Sequence, residues 1–476
     1  MDFCVTGASG TPVAEISGLV PKAILKIGNA YMYAFGYGLE PLSAYEAKEA
    51  GRVKALIINA LSAGNDVSIG MFDKVRGMAL NELSKSLERT RAEYVSYLLA
   101  HDTVGYGPIS MLLEDKGSIE EIEINAPTSP IVVHRPDYGA CRTNLAFSGE
   151  PQFRHAINKM AYEADKELND DFPIIDVQVG NARVHAQIRP YAQSGGIATI
   201  RLNGSGKAGV DYLLAKKTVS AEALAYVWLA VDAKLNMIIS GAPASGKTTL
   251  LSAILSLVPR HQRVAIIEED VNELKVDFDF NNVVSLYGSK YGGVSAREQT
   301  INALRMRPDR LVVGEIRGEE AREMFAGANL GIPFVTTMHS NEGAIDILKK
   351  LSVKPMNVDA ASISMLDVAL YMKQIDISRR VLSGIYEYEW LSRAETESGI
   401  EINEADNVQV REMAKSGVLD IGALADSKVM RAYAEAKGIT QKGAAGEFRK
   451  RVSLLKQVST MQPDAAKEAI SEYIGR

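Results

Sequence analysis

Apolar residues recur three or four positions apart through Leu80, Leu83, Leu87, Tyr94, Val95, Leu98 and Leu99. That stripe predicts an amphipathic helix from about Asp73 to Ala100, and the turn signal Gly105-Tyr106-Gly107-Pro108 ends it. Residues 1 to about 70 are weakly patterned, with glycines scattered at Gly28, Gly36, Gly38 and Gly51. Short β-like segments follow at Ile119–Ile124, Ile131–His134, Val177–Val179, Arg183–Ile188 and Ile197–Leu202. A helix-like stretch, Phe153–Leu168, divides them into two groups. The pattern describes an α+β domain ending at the linker Asn203-Gly204-Ser205-Gly206-Lys207-Ala208-Gly209.

From Tyr212 the pattern changes to short apolar strands alternating with helical stretches. The strands are Asn236–Ser240, Val264–Ile267, Leu311–Val313 and Phe334–Met338. Apolar runs between helices predict an α/β domain with a parallel central sheet covered on both faces. Beyond about Trp390 the chain turns helical again. Phe448, Val452, Leu455 and Val458 line one face of a helix near the end, and Gly438 closes an earlier one. The expected organisation is a helical or variable region over 1–100 and an α+β domain over 101–203. A linker over 204–210, an α/β domain over 211–392 and a helical tail over 393–476 complete it.

Composition narrows the class. With 476 residues, 46% of them hydrophobic and 24% charged, the chain is built for globular domains rather than disorder. Lys and Arg number 53 against 59 Asp and Glu, a net charge of −6 that counts against a nucleic-acid-binding surface. The two cysteines, Cys4 and Cys141, cannot form a C-x-x-C motif or a four-cysteine zinc module, and they suit a reducing cytosol. The most apolar early run, Ala23–Leu39, is interrupted by Lys26, Gly28 and Asn29 and falls short of a membrane span. The start Met1-Asp2-Phe3-Cys4 does not resemble a signal peptide. A cytoplasmic protein that docks on a membrane partner is expected.

The strongest chemical signal is Gly241-Ala242-Pro243-Ala244-Ser245-Gly246-Lys247-Thr248-Thr249, which fits G-x-x-x-x-G-K-[ST]. A strand leads in and a helical run leads out, so backbone N–H groups and a helix N-terminus would cradle phosphates. Lys247 would pair the β and γ phosphates of ATP, and the Thr248 hydroxyl would complete the Mg²⁺ shell.

Three further segments place chemistry at strand ends, where ligands of open α/β sheets bind. Val264–Ile267 runs into Glu268-Glu269-Asp270, and acids there hold Mg²⁺ through water or orient the attacking water. Leu311-Val312-Val313-Gly314-Glu315 is an apolar strand ending in an acid, the Walker B pattern, with Gly314 where many P-loop proteins carry Asp. Glu315 would position water or partner Mg²⁺, and Arg305, Arg307, Arg310 and Arg317 crowd around this strand. Phe334–Met338 ends in His339.

Taken together, these segments resemble the type II/IV secretion ATPase superfamily over roughly Asp102 to Trp390. Gly241–Thr249 resembles its Walker A, and Glu269-Asp270-Val271-Asn272-Glu273-Leu274 resembles its Asp box. Leu304-Arg305-Met306-Arg307-Pro308-Asp309 with Gly314-Glu315-Ile316-Arg317 resembles its Walker B region, and Thr336-Thr337-Met338-His339-Ser340 its His box. Gly105–Ile109, Ile119–Ile122 and Val133–Gly139 are similar to segments of the archaeal branch, which serves pili, flagella and secretion.

The resemblance implies a RecA-like P-loop NTPase that hydrolyses ATP with Mg²⁺ as a homo-hexameric motor. Its implied partners are an integral-membrane platform protein and pilin-like or secretion subunits, met at the cytoplasmic face of the membrane, with no direct nucleic-acid contact. Arginines of the N-terminal domain reach the phosphates in that family, and Arg183, Arg189 and Arg201 are the candidates here. Glu269 and Glu315 are the implied acids, although Glu268 competes with Glu269 for the nucleotide-facing role. Two rival readings are a DNA-transfer ATPase and a nucleotide-gated scaffold that does not hydrolyse.

Overall fold

A computed structural model describes residues 3–16, 20–62, 70–115, 118–202, 209–269, 274, 282–288, 293–340, 343–376, 379–390 and 408–475. The chain divides into two compact units, Met1–Gly206 and Lys207–Arg476.

The first unit opens with strands β1 (Phe3–Val5), β2 (Thr11–Ile16), β3 (Lys22–Ile27) and β4 (Ala30–Phe35). Helices α1 (Ala44–Ser62), α2 (Met71–Leu83), α3 (Arg89–Thr103) and α4 (Pro108–Leu113) follow. Then come β5 (Glu121–Ile124), β6 (Val132–Arg135), β7 (Gly139–Thr143), β8 (Leu145–Phe147), α5 (Glu150–Tyr162), β9 (Ile174–Val179), β10 (Ala182–Gln187) and β11 (Ile197–Leu202). Nine strands join in the order β2-β3-β4-β7-β6-β5-β11-β10-β9. The pairing of β4 with β7 is parallel, Tyr31 against Cys141, and it binds the early strands into the sheet of the later ones.

Two expectations are revised in this unit. The early apolar run is a hairpin: Ile27 pairs with Ala30 across a two-residue turn that Gly28 opens at φ +60°. The single helix expected from Asp73 to Ala100 is two, α2 and α3, broken over Ser84–Glu88. The Leu87 amide still donates to the Leu83 carbonyl at 2.8 Å, so the three-to-four spacing runs unbroken through the turn and hides it. Val75, Ala79 and Leu83 of α2 join Ala92, Val95 and Leu99 of α3 in one buried cluster.

The second unit comprises α6 (Val210–Ala215), α7 (Ala221–Asp232), β12 (Met237–Gly241), α8 (Lys247–Leu255), β13 (Val264–Glu269), β14 (Val283–Gly288) and α9 (Ala296–Leu304). It continues with β15 (Arg310–Val313), α10 (Glu320–Asn329), β16 (Phe334–His339), α11 (Ala344–Ser352), α12 (Ala360–Ile363), β17 (Val368–Gln374) and β18 (Arg380–Trp390). The end is β19 (Val408–Lys415), β20 (Val418–Leu419), α13 (Lys428–Lys437), α14 (Gln441–Val458) and α15 (Pro463–Ile474). The sheet runs β14-β13-β15-β16-β12-β17-β18-β19-β20. Its first six strands are mutually parallel, and β18 to β20 add antiparallel pairings. This is the RecA-like α/β fold, with the phosphate-loop strand β12 in the interior of the sheet.

The tail is not purely helical, because β19 and β20 extend the central sheet before the last helices begin. Those helices then cover α7, whose residues Ala223–Val231 are buried on every side. A helix apolar all round needs cover on both faces, and α13 and α14 supply part of it. Ser220 caps α7 by accepting from the Ala223 amide at 3.2 Å. At the other end of α7, Asp232 takes a 2.7 Å hydrogen bond from Arg451 of α14, with both side chains buried. The Arg451 guanidinium also lies over the rings of Trp228, Tyr433 and Tyr473.

Removing one partner of a buried pair strands the other charge. Arg451→Met should therefore lower stability by about 3 kcal/mol in urea unfolding and expose α14 and α15 to protease. Lys456→Met, which breaks the exposed pair with Glu222, should cost less than about 0.5 kcal/mol.

Candidate functional site

Parallel pairing sets the site. Gly241, the last residue of β12, lies level with His339 at the end of β16 and with Met372 of β17. The loop that follows doubles back into α8, and Gly246 supplies the left-handed turn at φ +93°. Ala244 also takes positive φ, +58°, a conformation that a side chain tolerates only in a constrained loop. Gly241 has no room for a side chain, since a Cβ there would lie 2.4 Å from the Met372 carbonyl oxygen and 2.7 Å from Ser245 Oγ. Ala242 and Pro243 complete the crossing. Thr248 and Thr249 lie in the first turn of α8, whose leading N–H groups have no acceptor within the helix.

Lys247 is buried at the carboxyl edge of the sheet. Its Nζ donates to the carbonyls of Gly241 at 3.1 Å and Ala242 at 2.9 Å, and lies 3.1 Å from His339 Nδ1. His339 Nε2 in turn is 2.8 Å from Glu315 Oε1. The other carboxylate oxygen of Glu315 accepts from Arg317 Nη2. Burial, with Lys247 and Arg317 adding positive charge nearby, holds the His339 pKa below its ordinary value, and Glu315 opposes that shift. The imidazole thus lies between the Lys247 ammonium on its Nδ1 side and the Glu315 carboxylate on its Nε2 side. Residues from three separated segments thus form one chain: ammonium, imidazole, carboxylate, guanidinium.

The backbone around Glu315 is held against β16. The Ile316 amide donates to the Thr337 carbonyl at 2.9 Å, and Thr337 Oγ1 donates to the Gly314 carbonyl at 2.7 Å. Space does not require glycine at Gly314, since a Cβ there would meet Glu268 Cγ at an ordinary contact distance of 3.4 Å. Glu268 is buried at the end of β13, and its Oε1 accepts from the Leu274 amide at 2.8 Å. Glu269 is half-buried and on the opposite strand face, level with Gly288 of β14. Asp270, Val271, Asn272 and Glu273 lie outside the described residues. Thr248 and these carboxylates are hard oxygen donors, the set that suits Mg²⁺.

The predicted arginines separate. Arg317 belongs to the Lys247–Glu315 chain. Arg305 and Arg307 are exposed on the turn entering β15, at its amino end, so the whole strand separates them from Glu315 beyond its carboxyl end. Arg310 is fully buried, donating from Nη2 to the Val231 carbonyl at 2.7 Å, and burial pulls its pKa down to about 10. In the first unit, Arg183 and Arg201 are cross-strand partners on β10 and β11. Arg183 forks onto Asp176 at 3.0 and 2.8 Å, and Arg201 is exposed opposite Glu121. Arg189 is exposed after β10, 3.8 Å from Glu150. Sequence reading missed one group here: Glu121, Glu123 and His134 bring their donor atoms within 4.8 Å of one another, with His134 Nε2 paired to Glu123 at 2.9 Å. The register of β5 against β6 creates it.

A family model described as "Type II/IV secretion system protein" matches residues 164–416, just over half of the chain. An uncharacterized protein of Methanocaldococcus jannaschii is 27% identical over 325 residues, 66% of this chain and 57% of that protein. The chain thus spans little more than half of that relative's length. Conjugal transfer protein TrbB of Rhizobium radiobacter is 29% identical over 243 residues, 50% of this chain and 72% of TrbB. Among solved structures, the pilus retraction motor PilT with bound ADP aligns over 76% of this chain and 96% of its own, at 16% identity and a TM-score of 0.42. The Legionella pneumophila ATPase DotB aligns over 76% and 95%, at 15% identity and a TM-score of 0.41.

Because the folded pKa of His339 lies below its unfolded value near 6.5, the unfolded state binds the extra proton more readily. Stability contributed here is complete above pH 6.5 and falls as pH drops through that value. Urea unfolding at pH 5.5 and 7.5 should show this loss in the native protein and a smaller loss in His339→Gln.

Proposed function

This chain belongs to the type II/IV secretion system protein family, and on that premise we propose that it is an ATP-hydrolysing motor of a secretion or pilus-like apparatus. The observation that carries the proposal is the assembly of Lys247, His339 and Glu315 at the carboxyl edge of the parallel sheet, beside the phosphate loop.

In this reading ATP enters over Gly241–Thr249, and its phosphates replace the carbonyl partners of Lys247. Mg²⁺, held by the Thr248 hydroxyl and through water by Glu269 and Glu315, would neutralise charge on the β and γ phosphates. Glu315 orients the attacking water. Neutral His339 joins Lys247 to Glu315, so a change at the phosphate-binding cation is felt at the water-positioning carboxylate. One of Arg183, Arg189 and Arg201 supplies the guanidinium that stabilises charge in the transition state, from within one subunit or across a ring of six. Hydrolysis moves the first unit against the second about residues 204–210, of which 204–208 lie outside the described residues. That motion drives an integral-membrane platform protein and its pilin-like or secreted subunits from the cytoplasmic face. Among the described residues no helix is long and apolar enough to cross a membrane, which is consistent with a peripheral attachment.

Lys247→Ala should abolish phosphate release. Glu315→Gln should retain ATP while turnover falls by about 10² or more, the scale on which positioned proton transfer acts. Normal turnover in Glu315→Gln removes it from the mechanism, and absence of turnover in the native protein with Mg²⁺ favours a nucleotide-gated scaffold.

The name of the TrbB relative favours a second reading, in which the same motor serves conjugal transfer. Its test is the ATPase rate with and without DNA across a salt series. The secretion or pilus reading expects no stimulation. Stimulation that fades as salt rises would mark phosphate-backbone contact and favour the DNA-transfer reading.

A further inference from the structure

The sequence motifs all fall on one flank of the phosphate loop. In the sheet order β13-β15-β16-β12-β17-β18, the acids and His339 belong to the strands on the β16 side of β12. The opposite flank is also in contact with the loop. The Met372 carbonyl of β17 closes against Gly241, and a Cβ at Gly246 would lie 3.4 Å from Met372 Cε and 3.5 Å from Arg380 Cδ. Arg380 is the first residue of β18 and pairs with Gln374 of β17.

Register locates this arginine along the strand direction. Met372 is level with Gly241, and Gln374 lies two residues further on. Arg380 therefore stands about 7 Å beyond the end of β12, at roughly 3.3 Å per residue. That is outside the carboxyl edge, where ligands of parallel sheets bind. Its stem rests on Gly246, the residue that leads into the first turn of α8, its side chain is half-buried, and its Nε is buried. Arg380 thus brings a second cationic side chain to the residue that leads into the helix of Lys247.

We propose that Arg380 is a nucleotide-binding residue, contacting the phosphates of the bound nucleoside di- or triphosphate from the flank opposite Glu315. The inference rests on the reading of Gly241–Thr249 as a nucleotide site. Because Arg380 is on the far side of β12 from Glu315 and His339, it strengthens binding of nucleotide without taking part in water activation. ADP and ATP both benefit.

Arg380→Met keeps the aliphatic contact with Gly246 and removes the charge. In the full-length protein it should weaken binding of fluorescent mant-ADP and mant-ATP about tenfold, the scale of one charge-assisted hydrogen bond. It should raise KM by a similar factor and leave kcat within about twofold. Arg380→Lys should recover part of the loss. Three outcomes overturn the assignment: binding in Arg380→Met within twofold of the native protein, a fall in kcat at unchanged KM, or a loss confined to Arg380→Ala and accompanied by a lower melting temperature. Lys247→Ala run in parallel separates the two claims. If Lys247→Ala loses nucleotide and Arg380→Met does not, only the role of Arg380 fails. If neither variant changes binding, the nucleotide site itself fails.

Discussion

The register of β12 between β16 and β17 is the constraint on which the rest of the site depends. Level pairing of Gly241 with His339 and Met372 fixes how closely the loop approaches its neighbours on both flanks. A shift of one residue would turn alternate side chains to the opposite face and carry His339 away from Lys247. The same closeness leaves no space for a Cβ at Gly241, so this glycine is required by contact as well as by dihedral angle. The chain from Lys247 through His339 to Glu315 follows from that arrangement.

A second set of buried charges ties the parallel sheet to the end of the chain. Arg310, at the amino end of the strand that leads to Glu315, bonds the Val231 carbonyl at the end of α7. Such a placement pairs a cation with the negative end of the helix. Asp232 beside it is taken by Arg451 of α14. On β18, buried Glu387 accepts hydrogen bonds from the Tyr226 and Ser427 hydroxyls and from the Lys428 and Val429 amides. The C-terminal helices are therefore fastened to α7 and the sheet by buried polar contacts as well as apolar ones. They belong to the second unit rather than hanging from it.

Local pattern made some elements legible and concealed others. Ile197–Leu202 was readable as a strand because its alternation is clean and its neighbours are polar. The break between α2 and α3 was not, because Ser84–Glu88 turns without disturbing the spacing of Leu83 and Leu87. The strands β2 to β4 were obscured because they are held by pairing with one another and, through β4, with the distant β7 rather than by a local period. Arg305 and Arg307 looked close to Glu315 in sequence, yet a strand carries its two ends apart at about 3.3 Å per residue.

What the sequence determined by itself was local: a strand, a glycine-rich crossing with Lys247 and Thr248, a helix, and acids or a histidine at strand ends. Each of these is written in a few consecutive residues with their own dihedral and charge requirements. The tertiary structure decided which of them meet. Strand order placed His339 rather than Glu268 beside Lys247, buried Glu268 beneath Gly314, and brought Arg380 onto Gly246. Those contacts join segments tens to more than a hundred residues apart. The physical reason is that hydrogen-bonded register between distant strands is a property of the whole sheet, which no single segment encodes.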